Sequence, residues 1–309
     1  MEENLSLHER SWWGFRSINF LSDDYLYEDL ISQIFLRLPV KSLLRFRSIS
    51  KSIYHMIENP NFIRMHTFQS RKRVIFRHRH LDELVEKDFE DFFTSHSEDE
   101  LPLDGSLSKY TGIPVLKFPV SGFDIDIVGS CNGILCLFGS RTGISLWNPS
   151  IKRKLTLPYY PSWLDTNKSC KTAVGFGYEQ ITHDYKVLTI TSPVSRQDTQ
   201  SRHSILVYST NLGSWNEIAP PRTCFTHVIS RACFIHGALH WVVKHYQDQS
   251  DKTGHLFILT FDLSTRVFGK ILLPEPNYET RHLAIINGSL AVISTQNELN
   301  LIRVNERVQ

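Results

Sequence analysis

LYEDLISQIFLRLPVKSLLRFRSISKSIYHMIENPNF, residues Leu26–Phe62, is the stretch that decides the fold of the N-terminal part of the chain. Its first half predicts an amphipathic helix, because apolar residues recur three or four positions apart. These residues are Leu30, Ile31, Ile34, Phe35 and Leu38. Glu28 and Asp29 occupy the first turn, where the helix dipole favours acidic side chains. Pro39 ends the helix, since the residue before a proline is pushed out of the α region.

A second helix is predicted after Pro39, with Ser42 as a candidate N-cap. Its apolar residues, again three or four apart, are Leu43, Phe46, Ile49, Ile53 and Ile57. Two or three short helices cannot enclose this much apolar surface, because segments below about 40 residues rarely sustain a core. Each large apolar side chain left in water forgoes about 1.5–3 kcal/mol. The surplus therefore faces either the rest of the chain or another protein, and we favour another protein.

The same stretch resembles an F-box, the helical module by which substrate receptors dock on the Skp adaptor of a cullin ubiquitin ligase. The resemblance rests on LxEDLIxxIFLRLPVKSLLRFR over Leu26–Arg47 and on SKSxY over Ser50–Tyr54. The chain departs from the usual family pattern at Tyr27, where proline is common, and at Ile53, where tryptophan is common. The alternative is an ordinary helical subdomain packed on its own chain.

The resemblance implies that the chain docks on a Skp-type adaptor and, through it, joins a cullin–RING ligase. The expected contacts are the apolar residues that run from the first helix into the second. They are Leu30, Ile34, Phe35, Leu38, Pro39, Val40, Leu43, Leu44 and Phe46. We expect Leu38 and Pro39 to be the most sensitive, because they fix where the first helix ends and the next segment begins.

The composition fits a globular protein that works inside the cell. Its 309 residues, 41% of them hydrophobic, suffice for one small domain and one of about 200 residues. The formal net charge of +2 argues against a general nucleic-acid or membrane binder. The five cysteines form no C-x-x-C pair, which favours a reducing compartment. Since we see neither a signal peptide nor a long apolar run, the expected location is the cytoplasm, the nucleus or both.

The sequence divides into four parts. Residues 1–22 are an N-terminal extension, residues 23–64 the helical module, residues 65–110 a connecting region and residues 111–309 a β-repeat domain. Within the connecting region, the basic run RKRVIFRHRH predicts a strand. The stretch that follows holds ten Asp or Glu residues against one Lys and predicts a mostly flexible acidic insertion.

A recurring unit of two halves marks the β-repeat domain. One half reads strand, turn, strand and proline, and its three copies end at Pro158, Pro220 and Pro274. The other half is a hairpin with a glycine turn, seen in CNGILCLF, IHGALHW and INGSLAV. Asn-Gly suits the type I′ turn, because both central residues need positive φ. Tryptophans 147, 215 and 241 lie in such strands, where we expect them to pack in the core.

A repeat of roughly 50–60 residues with four strands predicts the blades of a β-propeller, kelch-like in length. The domain also resembles the plant F-box-associated domain. The matching motifs are WNP at 147–149, GFGY at 175–178, DYKVL at 184–188, GSW at 213–215 and ALHW at 238–241. The repeats stop after Leu299–Val304, so either the ring is incomplete or the strand at Arg73–Phe76 completes it. The predicted fold is therefore α+β and multidomain, with a small all-α module before an all-β, propeller-like domain.

Catalytic, metal and cofactor sites have little support. GSCNG at 129–133 fits the G-x-C-x-G form of a nucleophile elbow, but a strand follows where the elbow needs a helix. His236 and His240 are four apart, yet in a hairpin they do not share a helical face. No glycine-rich phosphate loop is present in the sequence. We expect no catalytic residue, no metal and no cofactor.

DNA binding is the main rival from another class. Short helices that carry Lys41, Arg45, Arg47 and Lys51, followed by the basic run, could form a helix-turn-helix with a basic arm. A recognition helix needs a polar surface that faces the groove, whereas the second helix is mostly apolar. We therefore expect no nucleic-acid partner.

The sequence predicts a non-catalytic adaptor with two binding surfaces. As the resemblance implies, the helical module docks on the Skp adaptor and the β domain holds a target protein near the ubiquitin-charged enzyme. Tyr159, Tyr160 and Trp163 lie in a proline-bounded loop and are candidate target contacts, since exposed aromatics are enriched in interfaces. The alternative is a scaffold or decoy whose altered F-box, at Tyr27 and Ile53, no longer docks.

Overall fold

A computed structural model describes residues 25–70, 73–79, 91–97, 115–116, 125–139, 142–159, 170–193, 203–246, 254–273, 280–295 and 303–305. It divides the chain into two compact units, Met1–Ser70 and Arg71–Gln309. The predicted N-terminal extension, residues 1–22, lies outside the described residues. None of the described helices is long and apolar enough to cross a membrane. The predicted order, an all-α module followed by an all-β domain, is confirmed.

Four short helices form the described part of the first unit. They are α1 (Tyr25–Leu36), α2 (Val40–Phe46), α3 (Lys51–Glu58) and α4 (Pro60–Gln69). Pro39 separates α1 from α2, with φ −60° and ψ 147°. The sequence placed the end of the helical module at residue 64, whereas α4 continues to Gln69. The buried core of the unit consists of Phe35, Leu36, Leu43, Ile57 and Phe62.

The second predicted helix is in fact two helices, α2 and α3. The predicted N-cap Ser42 lies inside α2, and Ser50 instead caps α3. Ser50 Oγ accepts the backbone N–H of Ile53 at 3.2 Å, which satisfies one of the amides that a helix N-terminus leaves free. The apolar spacing continues through the break, so the pattern alone predicted a single helix.

The first sheet of the β unit has the strand order β1-β2-β3. Its strands are β1 (Arg73–Arg79), β2 (Asp91–Ser97) and β3 (Val115–Leu116). The basic run forms β1, where the sequence predicted a strand. The acidic stretch predicted as a flexible insertion contains β2, which pairs with β1 along its whole length and buries residues 94–96. Cross-strand pairing here outweighs the local charge pattern.

Two four-stranded antiparallel sheets follow, and in each the strands pair in chain order. The second sheet contains β4 (Ile125–Cys131), β5 (Ile134–Gly139), β6 (Gly143–Asn148) and β7 (Arg153–Thr156). The third sheet contains β8 (Cys170–Glu179), β9 (Asp184–Pro193), β10 (Ser204–Ser209) and β11 (Ser214–Glu217).

The fourth and fifth sheets complete the described strands. The fourth contains β12 (His227–Val228), β13 (Cys233–Ile235), β14 (Ala238–His245), β15 (His255–Asp262) and β16 (Phe268–Leu272). Both β12 and β13 pair with β14. The fifth contains β17 (Thr280–Ile286), β18 (Ser289–Thr295) and β19 (Arg303–Asn305). The strand at Arg73–Phe76 does not join this last sheet within the described residues, since β1 pairs with β2.

The predicted hairpins are present, with the turn geometry that the sequence indicated. Between β4 and β5, Asn132 and Gly133 have φ of 49° and 75°, as a type I′ turn requires. The pairs His236-Gly237 and Asn287-Gly288 also have positive φ at both residues and make the corresponding turns of the fourth and fifth sheets. The predicted strand–turn–strand halves correspond to β6–β7, β10–β11 and β15–β16.

From the second sheet to the fifth, each sheet contacts the next one along the chain. β4 contacts β8, β8 contacts β13 and β14, and these two contact β17. Trp147 and Trp241 are buried in their strands, as predicted. Trp215 is half-buried, and its Nε1 donates to the carbonyl of Pro158 at 2.8 Å, which links the third sheet to the segment after β7. The core of the β unit therefore lies between the sheets.

Candidate functional site

Helix α1 is apolar on two sides. Ile31 and Phe35 face the core of the helical unit. Leu30 and Ile34, also four residues apart, are 57% and 58% exposed. A helix that only closed its own small core would need one apolar stripe. The second stripe leaves apolar surface of the helix exposed to water.

The junction between α1 and α2 is held by a histidine that sequence reasoning missed. His66, in α4, has its Nε2 2.8 Å from the carbonyl oxygen of Leu38. The imidazole also stacks on Phe62, with 6.2 Å between ring centroids. Pro39 is exposed beside this contact, while Leu38 and Val40 are half-buried. A single histidine within a short helix gives no sequence signal for such a role.

The predicted docking residues of α2 divide between the core and the surface. Leu43 is buried, and half-buried Phe46 makes an edge contact with Phe35 at a centroid distance of 5.1 Å. Leu44 is 42% exposed. Of the predicted set, the structure leaves Leu30, Ile34, Pro39 and Leu44 exposed and places Phe35 and Leu43 in the interior.

Additional apolar residues of the helical unit are exposed and were not predicted as contacts. Ile49 lies between α2 and α3 and is 64% exposed. In α4 the exposed large apolar residues are Ile63, Met65 and Phe68. The sequence placed Ile49 on the apolar stripe of a single helix, whereas it lies in the break between α2 and α3.

The predicted target loop is described only at its start. Tyr159 follows β7 and is exposed. Tyr160 and Trp163 lie outside the described residues. β7 begins at the end of the second sheet that holds the Asn132-Gly133 turn and runs toward the other end. Tyr159, which follows β7, therefore lies at the end away from that turn.

Cys131 does not have the setting of a catalytic nucleophile. It ends β4 and is followed by the turn and by β5, so the helix of a nucleophile elbow is not present. Burial raises the pKa of its thiol to about 11, despite a backbone hydrogen bond at Tyr178. The thiolate that a nucleophile needs is therefore disfavoured.

His240, in the β14 hairpin, has a structural contact. His240 is buried, and its Nδ1 lies 3.2 Å from the carbonyl oxygen of Cys233. Burial lowers its pKa and so favours the neutral ring. Within the described residues, no three His, Cys, Asp or Glu side chains form a group that could hold a metal ion.

Two family models match this chain. A model described as F-box domain matches residues 25–65, and a model described as F-box associated beta propeller domain matches residues 101–306. The first covers all of α1, α2 and α3 and part of α4. The second covers the sheets from the second to the fifth.

Curated proteins of Arabidopsis thaliana are similar to the chain over most of its length. F-box protein CPR1 is 26% identical over 283 residues, which cover 85% of this chain and 62% of that protein. Putative F-box protein At3g16210 is 29% identical over 259 residues, 82% of this chain and 62% of that protein. Putative F-box protein At4g21240 is 32% identical over 162 residues, 52% of this chain and 36% of that protein. The chain thus spans less than two thirds of the length of these relatives.

Proposed function

Because this chain belongs to the F-box proteins that carry an F-box associated β-propeller domain, we propose that it is the substrate-recognition subunit of a Skp–cullin–F-box ubiquitin ligase. The helical unit docks on a Skp-type adaptor, and the β unit binds the target protein. The chain supplies no catalytic residue. It contributes proximity, because it raises the effective concentration of a target lysine beside the ubiquitin-charged enzyme. This role belongs in the cytoplasm or the nucleus.

The exposed apolar stripe of α1 carries the proposal. Leu30 and Ile34 keep more than half of their surface in water. Full burial of a large apolar side chain is worth about 1.5–3 kcal/mol. A partner that covers the surface still exposed on each of these residues therefore gains about 1 kcal/mol or more of binding free energy. In the interface, Leu30, Ile34, Pro39 and Leu44 contact the adaptor. Leu38, Val40 and Phe46 border these contacts, and the buried Phe35 and Leu43 hold the helices in the required arrangement.

The target side of the proposal rests on the β unit. Tyr159 is exposed, and we propose it as a target contact together with Tyr160 and Trp163 of the loop that the sequence predicts. Aromatic side chains bury a large area for little loss of conformational entropy, which makes them effective anchors in interfaces.

The adaptor contact can be tested by calorimetric titration of a plant Skp adaptor into the full chain. We expect Ile34→Asp to weaken binding at least about tenfold, because it places a charge in an apolar interface. Its melting temperature should stay near that of the unmodified chain, since residue 34 is exposed. Ile181→Asp is the matched control, because Ile181 is 78% exposed but lies in the β unit.

Two results would contradict the docking proposal. One is an Ile34→Asp variant that binds the adaptor as tightly as the unmodified chain. The other is an unmodified chain that binds no Skp adaptor, in which case the substitutions at Tyr27 and Ile53 leave a scaffold or decoy. Leu38→Asp provides a second variant at the junction, where we expect a larger loss of binding.

A further inference from the structure

A cavity of about 380 Å³ opens in the β unit where the first strands of three successive sheets meet. Residues of β4, of β8 and of the segment from β12 to Arg231 line it, together with the ends of β5 and β9. Binding pockets for small ligands and peptide side chains have volumes of about 300–1,000 Å³. This cavity could not be predicted from the sequence, because its walls come from segments about 100 residues apart.

The cavity lies at the end of the sheets away from the tight turns. Asp126 stands near the start of β4 and pairs with Phe138 near the end of β5, whereas the Asn132-Gly133 turn is at the opposite end. In the third sheet, Lys171 is likewise near the start of β8 and pairs with Ser192 of β9. Tyr159 leaves the second sheet at this same end, so the cavity and Tyr159 lie at the same end of the sheets.

The mouth of the cavity carries two cations and one carboxylate. Arg231 Nη2 lies 2.8 Å from Asp126 Oδ1, and the two side chains are 70% and 49% exposed. An exposed pair of this kind is worth little, because water solvates both partners. Lys171 is exposed on the wall formed by β8. The guanidinium of Arg231 can therefore exchange Asp126 for the carboxylate of a ligand, and Lys171 adds a second positive charge.

Apolar side chains form part of the remaining wall, beside polar ones such as Thr172 and Ser192. Val128 and Val228 are half-buried there, and Ile229, at the rim, is 42% exposed. An exposed isoleucine beside the arginine that would bind a carboxylate suits a ligand with an apolar group next to its acid. Such a ligand covers the isoleucine and places its charge at the mouth.

Hydrogen bonds hold the segment that carries Arg231 in place. The N–H of Val242 donates to Ser230 Oγ at 2.7 Å, and the N–H of Ile229 donates to the carbonyl of Val242 at 2.9 Å. The arginine is thus presented from backbone fixed to β14. A prearranged site loses less conformational entropy when a ligand binds.

The opposite wall is fixed through a histidine. Ser192 Oγ lies 2.9 Å from His203 Nδ1, and His203 Nε2 lies 2.7 Å from the carbonyl oxygen of Phe225. The imidazole stacks on the Phe225 ring, with centroids 4.0 Å apart. These contacts join the end of β9 to the segment that leads into β12.

We propose that this cavity binds an acidic side chain and an adjoining large apolar side chain of the target polypeptide. The proposal rests on the role proposed above for the β unit and adds the chemistry of the segment it recognises. Arg231 and Lys171 receive the carboxylate, and Ile229 with Val128 and Val228 receives the neighbouring side chain. When no target is bound, Asp126 forms an ion pair with Arg231.

The test begins with a phage-displayed library of short random peptides, selected on the complex of the full chain with a Skp adaptor. We expect the recovered peptides to place Asp or Glu next to a large apolar residue. The recovered peptides are then synthesised with a fluorescent label, and their dissociation constants are measured by fluorescence polarisation. Selection of no peptide, or of peptides without this pair, would overturn the proposal.

Charge variants make the test specific to the cavity. We expect Arg231→Glu and Lys171→Glu each to weaken peptide binding at least about tenfold. Asp126→Asn should tighten it about two- to fivefold, since a surface ion pair worth up to about 1 kcal/mol no longer competes. Arg153→Glu is the matched control: this exposed arginine begins β7 at the turn end of the second sheet, and its change should leave affinity unaltered. Equal binding by Arg153→Glu and Arg231→Glu variants would refute the site.

The outcome can be separated from that of the adaptor proposal. The cavity variants lie in the β unit, so their affinity for the Skp adaptor should match that of the unmodified chain. If the unmodified chain fails to bind the adaptor, the selection is repeated on the full chain alone. The cavity proposal is then supported if those peptides carry the acidic and apolar pair, and overturned if they do not. If adaptor binding persists but the Arg231 and Lys171 variants bind the peptides normally, only the cavity assignment is lost.

Discussion

Three charged side chains lie buried together in the third sheet. Lys186 Nζ is 3.3 Å from Glu179 Oε2 and 3.7 Å from Asp184 Oδ2, and none of the three side chains is more than 5% exposed. Two carboxylates in such a position repel each other unless a cation lies between them. The structure therefore depends on Lys186 at this point.

Both carboxylates also accept hydrogen bonds from the turns beside them. Asp184 accepts from Ser209 Oγ at 2.5 Å, from Thr210 Oγ1 at 2.7 Å and from the backbone N–H of Asn211 at 3.0 Å. Glu179 accepts two backbone amides of its own turn, at 2.8 and 3.1 Å. The cluster thus joins the β8–β9 turn to the β10–β11 turn.

Lys186→Met should lower the free energy of unfolding by about 3 kcal/mol. Removal of one partner from a buried ion pair costs about 3–5 kcal/mol, and the hydrogen bonds that remain on both carboxylates favour the lower end of this range. Domains are stable by about 5–15 kcal/mol, so the variant should still fold. Urea denaturation of the full chain, followed by tryptophan fluorescence, measures the difference.

Lys152→Met is the control, because Lys152 is exposed in the β6–β7 turn and its loss should cost less than about 0.5 kcal/mol. The double variant Glu179→Gln with Lys186→Met should recover part of the loss, since one of the uncompensated charges is gone. If Lys186→Met costs no more than Lys152→Met, the cation does not stabilise the sheet and the reasoning is refuted.

The remaining predictions concern pH, packing and the α1–α2 junction. Burial would raise the pKa of Glu179, but its hydrogen bonds outweigh this effect and lower the pKa. The free energy of unfolding should therefore fall as the pH drops below about 4.5. In urea denaturation at several pH values, Glu179→Gln should make this pH dependence less steep. Burial lowers the pKa of His203 despite its backbone hydrogen bond, so below pH 6.5 the unfolded chain binds more protons than the folded chain. The free energy of unfolding should therefore fall as the pH drops below 6.5, and it should fall less steeply in His203→Gln. Gly177→Ala should cost about 1–3 kcal/mol, because its Cβ would lie 2.4 Å from the Phe234 ring, whereas Gly129→Ala, with no atom within 4 Å, should cost far less in the same denaturation assay. His66→Ala should lower the melting temperature of the full chain slightly, because a lost hydrogen bond costs about 1 kcal/mol; an unchanged melting temperature would show that the contact to the junction carbonyl is dispensable.

Features set by neighbouring residues were predictable from the sequence. The type I′ turn at Asn132-Gly133 needs two residues that tolerate positive φ, and the sequence supplies both side by side. The end of α1 just before Pro39 follows from the ring of that one residue, although the helix stops at Leu36, two residues earlier than the apolar spacing predicted. The break between α2 and α3 was not predicted, because the apolar spacing continues through it. In the structure, the hydrogen bond from the Ile53 N–H to Ser50 Oγ marks the start of α3.

Features made by distant segments could not be predicted. β2 lies in an acidic stretch that predicts a loop, and it is a strand because β1 pairs with it along its length. The Asp184 contacts join residues 25 to 27 positions apart, and the Asp126–Arg231 pair joins residues 105 positions apart. The buried face of α1 and its exposed face were also indistinguishable, because both carry large apolar side chains four residues apart.

The GFGY motif shows how a family signature can be a packing requirement. A Cβ at Gly175 would lie 2.5 Å from the ring of Trp241, which is fully buried, so the glycine makes room for the indole between the third and fourth sheets. Trp241 Nε1 has no hydrogen-bond partner among the described residues, which costs about 1–3 kcal/mol. Truncation of a buried tryptophan costs about 3–5 kcal/mol, so packing outweighs the unpaired N–H. The glycine and the tryptophan therefore act as one unit, and a side chain added at Gly175 would separate two of the sheets that line the cavity.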